Sequence, residues 1–336
     1  MRVVVVGATG NIGTSVVQAL AGDERVDEIV GVARRRPDWS LPKFSFAEAD
    51  IRSAELTDVF REATAVIHLA WVFQPTHQPL ITWDLNVLGS IRVFDAAAAA
   101  GVPRLVYSSS IGAYSPAPGR LVDETWPTHG LPTAAYGREK AYLERYLDGF
   151  EYRHQSTRVV RIRPAFTFKR QSASEQRRIF VGPLLPRAIL RPGRLPILPL
   201  PAGMGFQALH TDDLAEAFRM AVVTDAGGAF NIAADPVIDA AALGELLGAR
   251  PVEVPAASVR LVLGAAWRLR LVPADEALLQ LLLGLPTLDT GRARSELGWT
   301  PRYTGTAALE EMLQGLAEGA GMDTPPLRPD RGAAKS

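Results

Sequence analysis

The run Val3-Val4-Val5-Val6 leads directly into Gly7-Ala8-Thr9-Gly10-Asn11-Ile12-Gly13, and a helical pattern follows over Ile12–Ala21. A strand, a turn with glycines at three-residue spacing and a helix, in that order, leave few folds open. Gly7 would permit the tight turn, Gly10 would let the backbone approach a pyrophosphate, and Gly13 would let the helix pack close to the sheet. Free N–H groups and the positive dipole end of the helix would then face the phosphates. An ordinary strand-to-helix turn is the alternative reading.

The following stretch alternates short apolar runs with helical patterns. Strands are expected at Arg2–Val6, Glu28–Ala33, Phe44–Ala49, Ala65–Ala70, Arg104–Ser108 and Arg158–Arg163. Helices are expected at Leu56–Glu62, Trp83–Ala100 and Ala134–Leu147. Strands separated by helices imply parallel pairing through crossovers, hence an α/β, doubly wound sheet. After Pro164 the alternation fades. Residues 165–320 are expected to form mainly a smaller C-terminal substrate-binding lobe, with segments near 206–234 returning to the first domain, 1–164. His210–Val223 reads as a loop entering a helix, in which Asp212 would cap. Ala229–Ala233 reads as a strand, Ala240–Leu247 and Thr306–Ala317 as helices, and residues 321–336 as a mobile tail.

Composition removes several function classes. Lys+Arg and Asp+Glu balance at 36 each, so no global basic field argues for nucleic acid or an anionic membrane. With no cysteine, disulfides, thiolate catalysis and cysteine-ligated metals are excluded. His68, His77, His129, His154 and His210 show no close ligand spacing, so no metal is expected. The first strand starts almost at Met1 and leaves no room for a signal peptide, so a cytoplasmic location is expected. The apolar stretch Leu261–Leu285 is interrupted by Arg268, Arg270, Pro273, Asp275 and Glu276, too often for a membrane span. It reads as a buried amphipathic helix pair, or else as a greasy lid or partner surface.

Two further features bear on chemistry. The second strand ends in Ala33-Arg34-Arg35-Arg36, where a carboxylate would favour NAD. Arg34 and Arg35 could clamp a 2′-phosphate, which favours NADP over NAD; a solvated basic loop is the alternative. Tyr136 and Lys140 stand at i and i+4 and can address one ligand from one helix face. A lysine ammonium and a nicotinamide cation would both lower the phenol pKa from near 10. The run Tyr107-Ser108-Ser109-Ser110 ends a strand, where ligands bind in open α/β sheets, and a serine hydroxyl there could orient a substrate oxygen.

In this arrangement the chain resembles the extended short-chain dehydrogenase/reductase family, the group named NAD-dependent epimerase/dehydratase. The resemblance rests on Gly7–Gly13, His68-Leu69-Ala70, Asn86-Val87-Leu88-Gly89-Ser90, Ser108–Ser110 followed by Tyr114, and Tyr136–Lys140. It continues through Arg163-Pro164, His210-Thr211-Asp212-Asp213, Phe230-Asn231-Ile232 and Glu296-Leu297-Gly298-Trp299-Thr300-Pro301. It implies a Rossmann-type fold in which Tyr136 is the acid/base, Lys140 its partner and Ser110 the catalytic hydroxyl. It also implies that Gly7, Thr9, Gly10, Asn11, Ile12 and Gly13 hold the cofactor, with Asp50 and Ile51 flanking the adenine. Ala70 would line the groove, Pro164 would lie near the nicotinamide, and Asn86 would be supportive. Homodimers paired through the two long helices are a further implication.

The chain also departs from this pattern. Sugar-nucleotide members carry an arginine shortly before the segment matching His210–Asp213; here the residues are Met204-Gly205-Phe206-Gln207-Ala208-Leu209. Arg187, Arg191 and Arg194 could compensate. Ser110 is followed by Ile111-Gly112 rather than by the acidic pair of dehydratases. Trp71, Phe73, Phe166 and Phe168 are candidate substrate-contacting residues, beside the reading that they are core. The expectation is an NAD(P)-dependent oxidoreductase acting on a small, fairly apolar carbonyl or alcohol. Two alternatives stand beside it: a nucleotide-sugar epimerase with tightly bound NAD, and a non-catalytic dinucleotide sensor.

Overall fold

The computed structural model describes residues 1–73, 77–182 and 193–329. Strands run β1 (Arg2–Val6), β2 (Glu28–Ala33), β3 (Phe44–Glu48), β4 (Ala65–His68), β5 (Arg104–Ser108), β6 (Leu121–Val122) and β7 (Arg158–Pro164). They continue as β8 (Phe166–Phe168), β9 (Ile197–Pro201), β10 (Gly205–His210), β11 (Gly228–Ile232), β12 (Ala234–Asp239), β13 (Arg250–Val254) and β14 (Thr287–Leu288). Helices are α1 (Asn11–Ala21), α2 (Thr57–Phe60), α3 (Pro79–Thr82), α4 (Gly89–Ala99), α5 (Ala135–Arg153) and α6 (Ala173–Gln176). The rest are α7 (Thr211–Val223), α8 (Ala240–Leu247), α9 (Ala256–Arg268), α10 (Glu276–Gly284) and α11 (Gly305–Glu318).

The central sheet has seven strands in the order β11-β7-β5-β4-β1-β2-β3, and every neighbouring pair is parallel. The order reverses between β1 and β4, which opens a crevice beyond their carboxyl ends. Period-two alternation assigns the β1 valines to opposite layers. Val3 and Val5 pack in the cluster with Val16, Val17, Leu214 and Phe218 of α1 and α7. Val4 and Val6 pack in the cluster with Phe94, Leu143 and Leu147 of α4 and α5. Both faces of β1 are therefore dry, which explains why the run is continuous rather than alternating.

The second lobe gathers a three-stranded sheet, β12-β10-β8, and the parallel pair β13-β9. β8 continues β7 after one residue, and β11 returns beside β7, so the two lobes share their connections. The cap of α7 differs from expectation: His210 Nδ1 accepts the Asp212 N–H at 3.2 Å. Asp212 instead accepts from Ser15 Oγ at 2.6 Å, tying α7 to α1. The expected long helix at Trp83–Ala100 carries a π-helical turn over Trp83–Leu88 before α4. Asn86, in that turn, brackets the Val72 backbone, accepting its N–H at 2.8 Å and donating to its carbonyl at 2.9 Å.

Two expectations are corrected. The expected tail is packed over its described part: Leu327 and Thr324 are buried, and the Asp38 N–H donates to the Asp323 carbonyl at 3.3 Å. Residues 330–336 lie outside the described residues. The expected buried helix pair is α9 and α10, but in α9 only Gly264 is buried, whereas Leu279 and Leu281 of α10 are. Among the described residues no helix is long and apolar enough to cross a membrane.

One buried ion cluster anchors α5 to the sheet. Glu144, with no exposed surface, accepts from Arg163 at 2.9 and 3.0 Å, from Arg161 at 3.1 Å and from Ser109 Oγ at 2.5 Å. Burial would push this carboxyl up, but the two guanidiniums and the serine outweigh it and hold it at about 2. We expect Glu144→Gln to destabilise the fold by about 3–5 kcal/mol, because it takes the carboxylate away from the buried Arg163 guanidinium, while Arg161 keeps Asp148 and Glu151, measured by urea unfolding. The unfolded pKa is about 4.3, above the folded one, so the wild-type contribution is complete above that value and fades as pH falls toward 2. The midpoint difference between wild type and variant should shrink over that window.

Candidate active site

Gly7 has φ +92°, and a Cβ there would stand 2.6 Å from the Ala70 nitrogen. A Cβ on Gly13 would stand 2.1 Å from the Gly7 carbonyl oxygen. Both therefore serve close backbone approach. Gly10 is open, with nothing nearer than 3.7 Å to its virtual Cβ. Gly10 is also the N-cap of α1 and supplies no side-chain cap, so the first N–H groups of α1 stay available to a ligand. Asn11 holds the loop from the side, donating to the Thr167 carbonyl at 3.3 Å and accepting from Thr211 at 3.1 Å. Lys169, buried beneath the loop, donates to Thr14 Oγ1 at 2.7 Å and Ser15 Oγ at 3.0 Å, and burial lowers its pKa to about 8.

Two adjoining cavities open over this loop. The first, about 590 Å³, is lined by Gly7, Gly10, Asn11, Ile12, Gly13, Ala70, Trp71, Phe73, Ser110, Tyr136, Lys140, Pro164, Phe166 and Phe168. The second, about 340 Å³, is lined by Gly7, Thr9, Gly10, Arg34, Arg35, Asp50, Ile51, Ala70, Trp71 and Phe73. Every site residue expected from sequence lies on one wall or the other. Arg34 and Arg35 are exposed at the mouth of the smaller cavity. Arg36 turns away over the Phe46 ring, 5.2 Å from its centroid. Asp50 is ion-paired with Arg52 at 2.7 Å. A glycine cradle, unsatisfied helix N–H groups and a cavity on each side fit a dinucleotide with its diphosphate at the junction.

At the inner end, Ser110 Oγ accepts the Gly112 N–H at 3.0 Å and stands near the Tyr136 phenol. Lys140, buried, donates to the Ser108 carbonyl at 2.7 Å and the Tyr107 hydroxyl at 3.4 Å. Its ammonium sits 3.5 Å from the Trp71 ring centroid but 5.9 Å from that of Tyr136. The expectation of a lowered phenol pKa is not met in this state. Burial pushes Tyr136 up to about 12 against the opposing pull of Ser110, while burial takes Lys140 well below its usual value. Trp71 Nε1 is buried at this wall and finds no acceptor among the described residues.

Beyond Tyr136 the larger cavity is closed by Ile179, Phe180, Met204, Phe206, Leu278, Leu282, Leu285, Leu309, Met312 and Leu316. Sequence reasoning named none of these singly, although it offered Leu261–Leu285 as a greasy lid and the spacing Leu278-Leu281-Leu282-Leu285 signals one helix face. It also missed Glu175 and the segment containing Pro325 and Pro326, which covers the smaller cavity. No arginine lines the larger cavity among the described residues. Arg194 is exposed, and Arg187 and Arg191 lie outside the described residues.

The model of the NAD dependent epimerase/dehydratase family matches residues 3–233. The chain belongs to this family. A UDP-glucose 4-epimerase of Neisseria meningitidis serogroup C is 29% identical over 241 residues, covering 64% of this chain and 71% of that protein. An uncharacterised protein of Mycobacterium tuberculosis (strain ATCC 25618 / H37Rv) is 25% identical over 324 residues, covering 93% of this chain and 83% of that protein. Among solved structures, MoeE5 in complex with UDP-glucuronic acid and NAD superposes with a TM-score of 0.70 at 23% identity, covering 94% of this chain and 98% of that one. The UDP-glucose 4-epimerase of Thermotoga maritima gives a TM-score of 0.69 at 20% identity, covering 95% and 99%. At these identities the structural likeness speaks for the fold.

Within this epimerase/dehydratase fold, Glu175 lines both cavities where they meet, as do Gly7 and Gly10. Burial raises its carboxyl to about 7, against the pull of Arg178 and Lys169. Protonated, it tolerates a neighbouring diphosphate; ionised, it repels one. Dinucleotide affinity should therefore weaken about tenfold from pH 6 to pH 8.5 as Glu175 loses its proton. Calorimetric titration of Glu175→Gln should remove this part of the decline and leave only the smaller share due to Lys169, whose pKa of about 8 lies in the same range.

Proposed function

We propose that the protein is an NAD(P)-dependent oxidoreductase that reduces a small, apolar ketone or aldehyde, or oxidises the matching alcohol. The observation that carries this reading is the larger cavity's wall: aromatic and aliphatic side chains predominate, and among the described residues no arginine stands there. A nucleotide-sugar diphosphate held there would find no guanidinium partner among the described residues, whereas an apolar carbonyl compound would be largely desolvated.

The bound dinucleotide supplies or takes up the hydride. The chain's residues do the remainder. Tyr136 is neutral in this site, its burial holding the proton on, which is the state a proton donor needs. In the reductive direction Tyr136 gives that proton to the substrate oxygen, and Ser110 orients the same oxygen. Lys140 holds the ribose end of the cofactor, fixed by Ser108 and Trp71. For the opposite direction its ammonium, together with the oxidised nicotinamide, stabilises the phenolate.

NADP is the proposed cofactor. Arg34 and Arg35 line the smaller cavity, and Ala33 ends β2 where a carboxylate would select NAD. The NAD named in the MoeE5 complex supports the alternative. Replacing both residues, Arg34→Ala/Arg35→Ala, should weaken NADPH binding about 10–100-fold, the value of a lost charged hydrogen bond, and leave NADH little changed. Equal losses for both cofactors would remove the NADP preference.

Loss of NADPH absorbance with a panel of cyclic, aliphatic and aromatic ketones tests the activity. Tyr136→Phe should lower kcat about 10²–10⁴-fold while leaving cofactor affinity intact. The similarity to a UDP-glucose 4-epimerase keeps one rival reading open: UDP-sugar isomerisation without net cofactor turnover would establish it and overturn the reductase.

A further inference from the structure

The face of α9 that points to solvent is unusually apolar. Leu261 is 74% exposed, Val262 68% and Leu269, just past the helix, 69%. At spacings of one, seven and eight residues these positions share one side of a helix. Between Ala256 and Ala274 the only charged residues are Arg260, Arg268 and Arg270, with no acid among them. Trp267 stacks on His77 at 3.9 Å, which brings α3 beside this end, and α3 adds Leu80 at 79% exposure. Exposed aliphatics beside three arginines, with the Glu276 carboxylate tucked away against the buried Gly264, are the composition of a helix that lies in a membrane–water interface.

The inner side of the same helix faces the larger cavity: Leu263 is on its wall, and α9 packs on α10, whose leucines continue that wall. A single helix therefore separates an apolar cavity from an apolar, cationic surface. A second copy of this chain would meet that surface poorly. A twofold contact centred on α9 would set its arginines against their own counterparts, with no acid in the segment to answer them. An anionic lipid headgroup layer supplies the missing negative charge, and its acyl region takes the leucines.

We propose that α9 seats the protein on an anionic lipid surface and that its inner face admits apolar substrate from that surface. The route of admission rests on the proposed apolar carbonyl substrate; the seating does not. The balanced net charge of the chain hides this local asymmetry, and attachment of this kind needs no spanning helix.

The test is flotation of the full chain with vesicles of phosphatidylcholine alone and of phosphatidylcholine containing phosphatidylglycerol, run beside size-exclusion chromatography. The chain should float with the phosphatidylglycerol vesicles. Leu261→Asp/Leu269→Asp and, separately, Arg260→Gln/Arg268→Gln/Arg270→Gln should each weaken that binding at least about tenfold. Circular dichroism and NADPH titration on the same variants report the fold and the cofactor site, so a failure of the oxidoreductase reading would show there rather than in flotation. Absence of flotation at millimolar lipid would overturn the proposal. Flotation that survives the aspartates would overturn it too. So would a dimer that the aspartates dissociate while no vesicle binds, which would assign the face to a contact between copies.

Discussion

The carboxylate of Glu144, closed off from water between Arg161 and Arg163, fixes the relation between helix α5 and the sheet. Tyr136, Lys140 and Glu144 are spaced at i, i+4 and i+8, so one helix face carries the phenol, the ammonium and the anchor. Arg163 also donates to the Tyr114 hydroxyl, which in turn donates to Asn231 on β11. Ser109, next to Ser110, donates to Glu144 itself. Three strands and a helix are thereby locked through one desolvated charge cluster. Desolvation makes such a cluster weak as net stabilisation, but breaking it by halves is severe. Its value here is positional: it leaves the end of β5 and the face of α5 a single arrangement.

The part of the molecule legible in the sequence is the part governed by local geometry. Fully buried strands show as valine runs, and close backbone approach shows as glycine at Gly7 and Gly13. The pair Tyr136–Lys140 shows as a helical repeat. What escaped depends on contacts between distant segments. The packing of Pro325 and Pro326 over the smaller cavity has no periodic signature, because short irregular segments are fixed by what they touch. Glu175 looked like one charge among several until the fold set it, half-buried, beside the glycine loop. The apolar stretch from Leu261 to Leu285 was legible as helical, yet its composition did not tell that α10 faces inward and α9 outward. The phenol pKa was misjudged for a related reason: Lys140 is near in sequence, but its ammonium is drawn to Trp71 and the Ser108 carbonyl.

The family likeness and the departure from it fall in different halves of the site. The glycine loop, the parallel sheet and the Tyr136–Lys140 helix belong to the half that the epimerase/dehydratase fold holds in common. Among the described residues, the opposing half of the larger cavity, drawn from Phe166–Phe206 and α10, is lined by side chains without formal charge apart from Glu175 and Asp275. One scaffold can therefore keep its hydride-transfer half while the facing wall is exchanged, since the wall is carried by loops and by a lobe that packs around its own apolar cluster.

A wall of this kind also sets how strict the site can be. Dispersion and desolvation grade one methylene against the next by only about 1–3 kcal/mol, whereas a built hydrogen-bond pair can reject a compound almost completely. With Phe73, Phe166, Phe206 and the α10 leucines as its measuring surface, a cavity that takes the proposed apolar substrate would rank compounds by bulk and fit rather than by functional group. A chain with such a site would accept a graded series of related molecules. Its choice among them in the cell would then follow their local abundance more than any lock built into the protein.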